Sequence, residues 1–214
     1  MNIVKVCSLL IILFTGSSCS LVGVGSEEQP SYDVLLKNDQ NEIRKYKPYL
    51  VAKVTIDGSF KEAQSKGFKI LAGYIFGKNK SQEKIAMTSP VIQKPEELSE
   101  KISMTAPVLI APEKEENRWS MTFSMPSKYS LETLPKPEDE RIIIEKVESR
   151  LIAAHVFSGF WNQEKIEKKG DELLKWLEQK KKYTPTSSPM FAGYNPPWTL
   201  PFFRRNEVLI EIKL

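Results

Sequence analysis

Lys84-Ile85-Ala86-Met87-Thr88-Ser89-Pro90-Val91 is followed by Lys101-Ile102-Ser103-Met104-Thr105-Ala106-Pro107-Val108 and, more loosely, by Arg118-Trp119-Ser120-Met121-Thr122-Phe123. A basic, an apolar and a small residue, then Met and Thr, recur in that order, with the methionines 17 residues apart. Within each copy the side chains alternate. Ile85, Met87 and Val91 share one face, as do Ile102, Met104, Ala106, Val108 and Ile110, and as do Trp119, Met121, Phe123 and Met125. A period of two with one apolar face means half-buried strands, and the turn-rich intervals between copies suit hairpins. The expectation is an antiparallel meander of three strands, with the methionines in its core.

Working outward, Glu42 to Val54 reads as strand with a break at Pro48. Ser59, with Glu62 three residues on, forms a capping box that should start a helix. Phe60, Ala63, Gly67, Phe68, Leu71, Tyr74 and Ile75 fall on one arc of that helix, and Gly77 suits its end. Beyond the meander, Pro126 to Asp139 reads as a surface loop and Arg141 to Phe157 as strand. A second amphipathic helix follows, with Ile166, Gly170, Leu173 and Leu177 aligned. Ala192 to Pro197 reads as a turn without regular structure, and a last alternating strand carries Val208, Ile210, Ile212 and Leu214. Leu50-Val51-Ala52 with Ile56, Gly58 and Phe60 is echoed by Leu151-Ile152-Ala153 with Phe157, Gly159 and Trp161, at an offset of 101 residues. Strand, glycine turn and helix thus occur twice, which predicts an α+β chain built as a pseudo-duplication.

The 214 residues, 41% hydrophobic and 27% charged, suit one soluble domain. A net charge of +4 is spread among acidic neighbours instead of forming an aromatic-studded basic stripe, which argues against nucleic acid as a partner. Cys7 and Cys19 both precede the domain and His155 is the single histidine, so neither a disulfide framework nor an all-protein zinc site is available to it.

Met1 to Ser20 carries Lys5, an apolar run from Val6 to Phe14, and small residues before Cys19. That is the order of a secretory signal, with an apolar run too short to span a bilayer as a mature helix. It resembles a bacterial lipoprotein signal, which implies lipidation of Cys19 and export to a lipid-anchored position on a bacterial membrane, facing the periplasm or exterior. The ordinary alternative is a cleaved signal in which Cys19 is incidental. The expected division is residues 1–18 as signal, 19–31 as lipidated Cys and tether, and 32–214 as the domain.

No nucleophile elbow, Walker loop, dinucleotide fingerprint or zinc helix is present in the sequence, so binding is expected and catalysis is not. His155 has two readings, a haem ligand or proton carrier, and a partly buried strand histidine with a hydrogen bond. Met87, Met104 and Met121 either fill the core or supply a soft groove or a thioether to iron. Arg204 and Arg205 either border a ligand mouth, pairing with carboxylates, or form a solvated pair on a loop.

Ile85 to Val91, together with Ala192-Gly193-Tyr194-Asn195-Pro196-Pro197 and Arg205-Asn206-Glu207-Val208, resembles the SOUL haem-binding protein family over about Tyr32 to Leu214. The resemblance implies a distorted antiparallel β-barrel of about eight strands flanked by two helices. It also implies binding of haem or a related tetrapyrrole against an apolar patch on the first helix. The family's ligand-facing helix positions correspond to Ser65, Phe68, Ala72 and Gly73, with Ile75 on the same helix and Lys66 and Lys69 beside them for the propionates. Where some members carry an axial histidine before the first strand, this chain has Asn38, Asp39, Gln40 and Asn41, so binding without a strong protein ligand to iron is implied. A second functional class stands beside this one: an envelope scaffold or interaction module that keeps the fold for a protein partner and takes no small ligand.

Overall fold

The computed structural model describes residues 27–81 and 99–214. Twelve strands are formed: β1 Tyr32–Asn38, β2 Asn41–Tyr46, β3 Tyr49–Asp57, β4 Asn79–Lys80, β5 Val108–Pro112, β6 Arg118–Ser124, β7 Lys136–Pro137, β8 Ile143–Val147, β9 Arg150–Phe157, β10 Thr184–Pro185, β11 Met190–Gly193 and β12 Asn206–Lys213. Two helices, α1 Phe60–Ile75 and α2 Gln163–Lys180, accompany them.

One curled antiparallel sheet runs β1-β2-β9-β12-β11-β5-β6-β3-β8, with β10 on β12, while β4 and β7 pair separately. The order reads alike from both ends: β2 and β8 flank the helix-bearing strands β9 and β3, and β5 meets β11 in the middle. The path ends at β1 and at β8, and no pairing joins those two edges among the described residues. The expected barrel is therefore a half-barrel.

Both helices lie on one face, α1 on β3 and β6 and α2 on β9 and β12. The capping box holds as read: the Ser59 hydroxyl accepts from Glu62 N–H, and the Glu62 carboxylate accepts from Ser59 N–H. Gly77 follows the helix at φ 115°, a left-handed conformation that costs a glycine little. Close approach explains two other glycines. A Cβ on Gly67 would lie 3.1 Å from Met121 Cβ, and one on Gly170 would lie 2.7 Å from the Pro189 ring.

Alternation in the third copy of the repeat is as expected: Met121, Phe123 and Met125 enter the helix-side core, and Trp119 packs against it. The second copy differs. Only Val108–Pro112 is strand, because Pro107 has no N–H for a ladder. Upstream, Ile102 is buried, Met104 packs partly against the core, and the Thr105 hydroxyl donates to the Ser124 carbonyl. The first copy, with Ile85, Met87 and Val91, lies outside the described residues. Two further expectations change. Met190–Gly193, expected to run into a structureless turn, is a strand held between β5 and β12. The loop from Pro126 is anchored through buried Leu134 and through the Pro135 carbonyl, which accepts from the Tyr74 hydroxyl at 2.7 Å.

The Gly170 contact gives a direct test. Gly170→Val should lower stability by about 1–3 kcal/mol, the usual cost of overpacking, read as a fall in the urea midpoint with an unchanged slope.

Candidate functional site

The two faces of the sheet differ in how they treat charge. On the face away from the helices, β2 and β12 flank β9 and point Arg44 and Glu207 toward each other. Arg44 and Glu207 are 1% and 0% exposed. Arg44 donates from Nη1 and Nη2 to the two Glu207 oxygens at 2.6 and 2.9 Å. Arg205 adds donors from Nε and Nη2 at 2.9 and 2.7 Å, and the Tyr194 hydroxyl donates at 2.8 Å. Arg44 Nε also reaches Glu42, itself paired with Lys37. The guanidinium of Arg44 lies 4.6 Å from the Tyr32 ring centre and that of Arg205 lies 4.0 Å from the Tyr194 ring centre.

Burial would raise the carboxyl pKa of Glu207, but the hydrogen bonds and charges of Arg44 and Arg205 outweigh it and hold the value below 4.5. The same surroundings push the Tyr194 hydroxyl well above its ordinary value, and burial brings Tyr46 to about 12. All these groups are satisfied by one another. This face is a structural lock, and Arg205 spends its charge inside the protein. Arg204 donates to the carbonyls of Thr199 and Pro197 and stacks over Phe160. The Arg205 guanidinium is thus committed to a buried carboxylate, whereas Arg204 is bonded to neutral carbonyls.

On the helix face, successive α1 residues turn by about 100°, which splits the expected ligand set. Phe68 and Ala72 lie on the flank toward β6, where the Phe68 ring meets Phe123 edge-on at 5.5 Å. Phe68 is 40% exposed and Phe76 60%. Ser65 turns its hydroxyl back to the carbonyls of Lys61 and Glu62, and Gly73 sits over the Lys78 stem. Ile75 is buried in the core and faces no ligand. Lys66 and Lys69 border a groove on the other flank, where α1 meets Ile56 of β3 and the segment leading into β8.

That groove has a volume of about 350 Å³ and a floor of Ile56, Ile70, Tyr74 and Ile142. Around it stand Lys66, Lys69, Lys78 and Arg141, with Asp139 as the carboxylate among the lining residues. Arg141 chelates Asp139 through Nε and Nη2 at 2.9 and 2.6 Å, and this guanidinium holds the Asp139 carboxyl down at about 2. Lys66 pairs with Glu62 one turn back. Lys69 and Lys78 make no ion pair among the described residues. A larger cavity of about 550 Å³ lies beside Tyr49 and Leu131, but its lining carries two carboxylates, Glu28 and Glu132, for its two cations, Lys47 and Lys146. For an apolar anionic ligand the smaller groove is the better match, because its charge is unbalanced and its floor is apolar.

His155 is 6% exposed, with Nδ1 2.7 Å from Asn41 Oδ1 and Nε2 3.9 Å from Glu172 under α2. Desolvation, then Lys169, lowers its pKa against the opposing pull of Glu172, and the net shift favours the neutral ring. It stands between β9 and α2, away from the α1 groove. No group of three or more His, Cys, Asp or Glu residues arranged for a metal occurs among the described residues.

The model of the SOUL heme-binding protein family matches residues 27–100 and 92–211. The chain belongs to the SOUL family. Comparison with curated proteins found no match. Among solved structures, the C-terminal domain of EcmrR aligns with this SOUL chain at a TM-score of 0.57 and 11% identity, covering 81% of this chain and 97% of that one. A hydrolase from Listeria innocua aligns at 0.53 and 9%, covering 84% and 94%. At such identity the likeness shows a common fold alone.

In the sequence, Glu42, Arg44 and Tyr46 alternate as a solvated strand face would, so the lock on the opposite face leaves one visible trace, the motif Arg205-Asn206-Glu207-Val208. Arg44→Met should cost about 3 kcal/mol, at the lower end for a broken buried pair because Arg205 remains, read in thermal or urea unfolding. Since the folded pKa of Glu207 lies below its ordinary 4.5, its contribution is complete above that pH and is lost as pH falls through the folded value. Stability should decline below about pH 4.5, and Glu207→Gln should flatten that decline while lowering stability at pH 7.

Proposed function

We propose that this protein binds haem or a related tetrapyrrole against the outer side of α1, seated on Ile70 and Ile142, with Lys69 and Lys78 facing the carboxylates. Membership of a haem-binding family supports the ligand class, and the apolar groove with unbalanced cations supports the seat. Magnitudes assign the parts. Burying about 100 Å² of apolar ligand surface contributes about 2.5 kcal/mol, whereas an exposed lysine–carboxylate pair contributes about 0–1 kcal/mol. The floor decides affinity and the cations decide orientation.

The residues present suit the macrocycle and its carboxylates better than they suit the iron. His155 is engaged with Asn41 beneath α2, and Met104 lies partly buried at the core, so neither is offered to the groove. Bound haem would bring redox and axial-ligand chemistry of its own. This chain would supply an apolar surface, orientation and exclusion of water from one side of the ring. Binding without turnover is the reading adopted. Export and lipid attachment through Cys19 belong to the same proposal and rest on the signal-like order of Met1 to Ser20. The echo of strand, turn and helix at an offset of 101 residues supports descent from a duplicated unit.

One observation favours a second seat on the same helix. Phe68 and Phe76 form an exposed apolar strip on the far flank, with Lys101 5.8 Å from the Phe76 ring centre. Substitutions separate the two. Haemin titration should give a saturable Soret change, weakened tenfold or more by Ile70→Asp and about threefold by Lys69→Glu, and unchanged by His155→Ala. Loss in Phe68→Asp with Ile70→Asp unaffected would move the site to the strip. Absence of any saturable change would end the haem reading.

A further inference from the structure

Far from the groove, the loop between β11 and β12 exposes an unusual run of apolar side chains. Trp198 is 74% exposed, Leu200 50%, Phe202 67% and Phe203 49%, and Phe160 from the turn after β9 joins them at 70%. These side chains are held, not loose. Pro201–Phe203 is a 3-10 turn, the Pro201 carbonyl accepts from Gly159 N–H at 2.8 Å, and the Phe202 and Phe203 rings lie 4.5 Å apart. Rigid exposed aromatic surface of this kind marks a contact site.

Two observations point to the contact. The cations beside the loop are paired with neutral oxygens: Arg204 donates to carbonyls and stacks on Phe160, and Lys165 Nζ donates to the carbonyls of Ser158 and Phe160. Their charge is therefore available to phosphate, although Asp39 lies close to Phe203 and Arg204. Trp, Phe and Leu beside Arg and Lys is the composition of a membrane interface, with rings at the headgroup level and cations on phosphates. The second observation is where the chain leads. Gln29 accepts from Arg205 Nη1 at 3.2 Å, while Glu28 just before it is bridged to Thr105 and accepts from Ala106 N–H and Ser127 N–H, so the described chain begins within reach of the end of this loop. The ten residues from Cys19 to Gln29 reach at most about 35 Å when extended.

We infer that the loop carrying Trp198, Leu200, Phe202 and Phe203, with Phe160, is a second membrane contact that inserts at the headgroup level of a bilayer containing anionic lipid. This rests on the proposed membrane attachment near Cys19, and is independent of haem. Attachment at Cys19 keeps the loop within a tether's length of the bilayer, and the loop fixes which way the domain faces.

Full-length protein recovered from the membranes of an exporting host is reconstituted in phosphatidylcholine vesicles with and without phosphatidylglycerol, carrying lipids with shallow or deep quenching labels. Trp119, Trp161 and Trp176 are the other tryptophans, and all three are at least half-buried. The expected result is quenching by the shallow label, stronger with phosphatidylglycerol and abolished in Trp198→Phe. The double variant Phe202→Ser/Phe203→Ser should reduce it several-fold while the protein still sediments with vesicles. Sedimentation with no quenching of Trp198 would overturn the loop contact and leave the attachment standing. Failure to sediment with either vesicle would overturn both.

Discussion

The carboxylate of Glu207 has no access to solvent, and the sheet is arranged to satisfy it. Five hydrogen bonds from Arg44, Arg205 and Tyr194 converge on its two oxygens. Those donors come from β2, from the residue just before β12 and from the residue just after β11, and the bonds from Arg44 reach across the whole width of β9. Desolvating such a pair costs several kcal/mol and its attraction largely offsets that cost, so its contribution is mainly to register. A slip of one residue in β2 or β12 would turn one partner to the helix side and break the Arg44–Glu207 pair.

That lock shapes where a ligand can go. The face away from the helices is filled by tyrosines and by charges that answer each other, leaving an incoming anion little to replace. On the helix side the core beneath α1 is continuous and apolar, while Lys69 and Lys78 at the rim of the groove make no ion pair among the described residues. The chain thus keeps its strongest electrostatics for holding strands and its weakest for the surface where exchange with solvent matters. Affinity at such a surface has to come from apolar area, which suits a flat, largely hydrocarbon ring with carboxylates at its edge.

Much of this was legible before any coordinates. Capping at Ser59, both amphipathic helices, the break at Pro48 and the strand parity of Trp119 to Met125 follow from local chemistry, and local chemistry is what a sequence displays. The closed barrel did not follow, because whether β1 meets β8 is decided by curl accumulated over nine strands. The strand at Met190–Gly193 was hidden behind the prolines that follow it. On α1 the helical arc located the buried residues except at Phe68, which is exposed, and it could not tell which flank met Ile142 and which met Phe123. Ile75 is buried in the core, as its place on the apolar arc implies. Arg204 and Arg205 show the limit of local chemistry, since adjacent basic residues at a loop read alike while one is bound to carbonyls and the other to a buried carboxylate.

Backbone hydrogen exchange, with and without metal-free protoporphyrin, tests most directly the claim that the ligand sits on the outer side of α1. Added protection should fall on residues 66–74 and 139–142, and the strands carrying Arg44 and Glu207 should exchange as before. Protection centred on Tyr46, Tyr194 and Glu207, with α1 unchanged, would contradict the account.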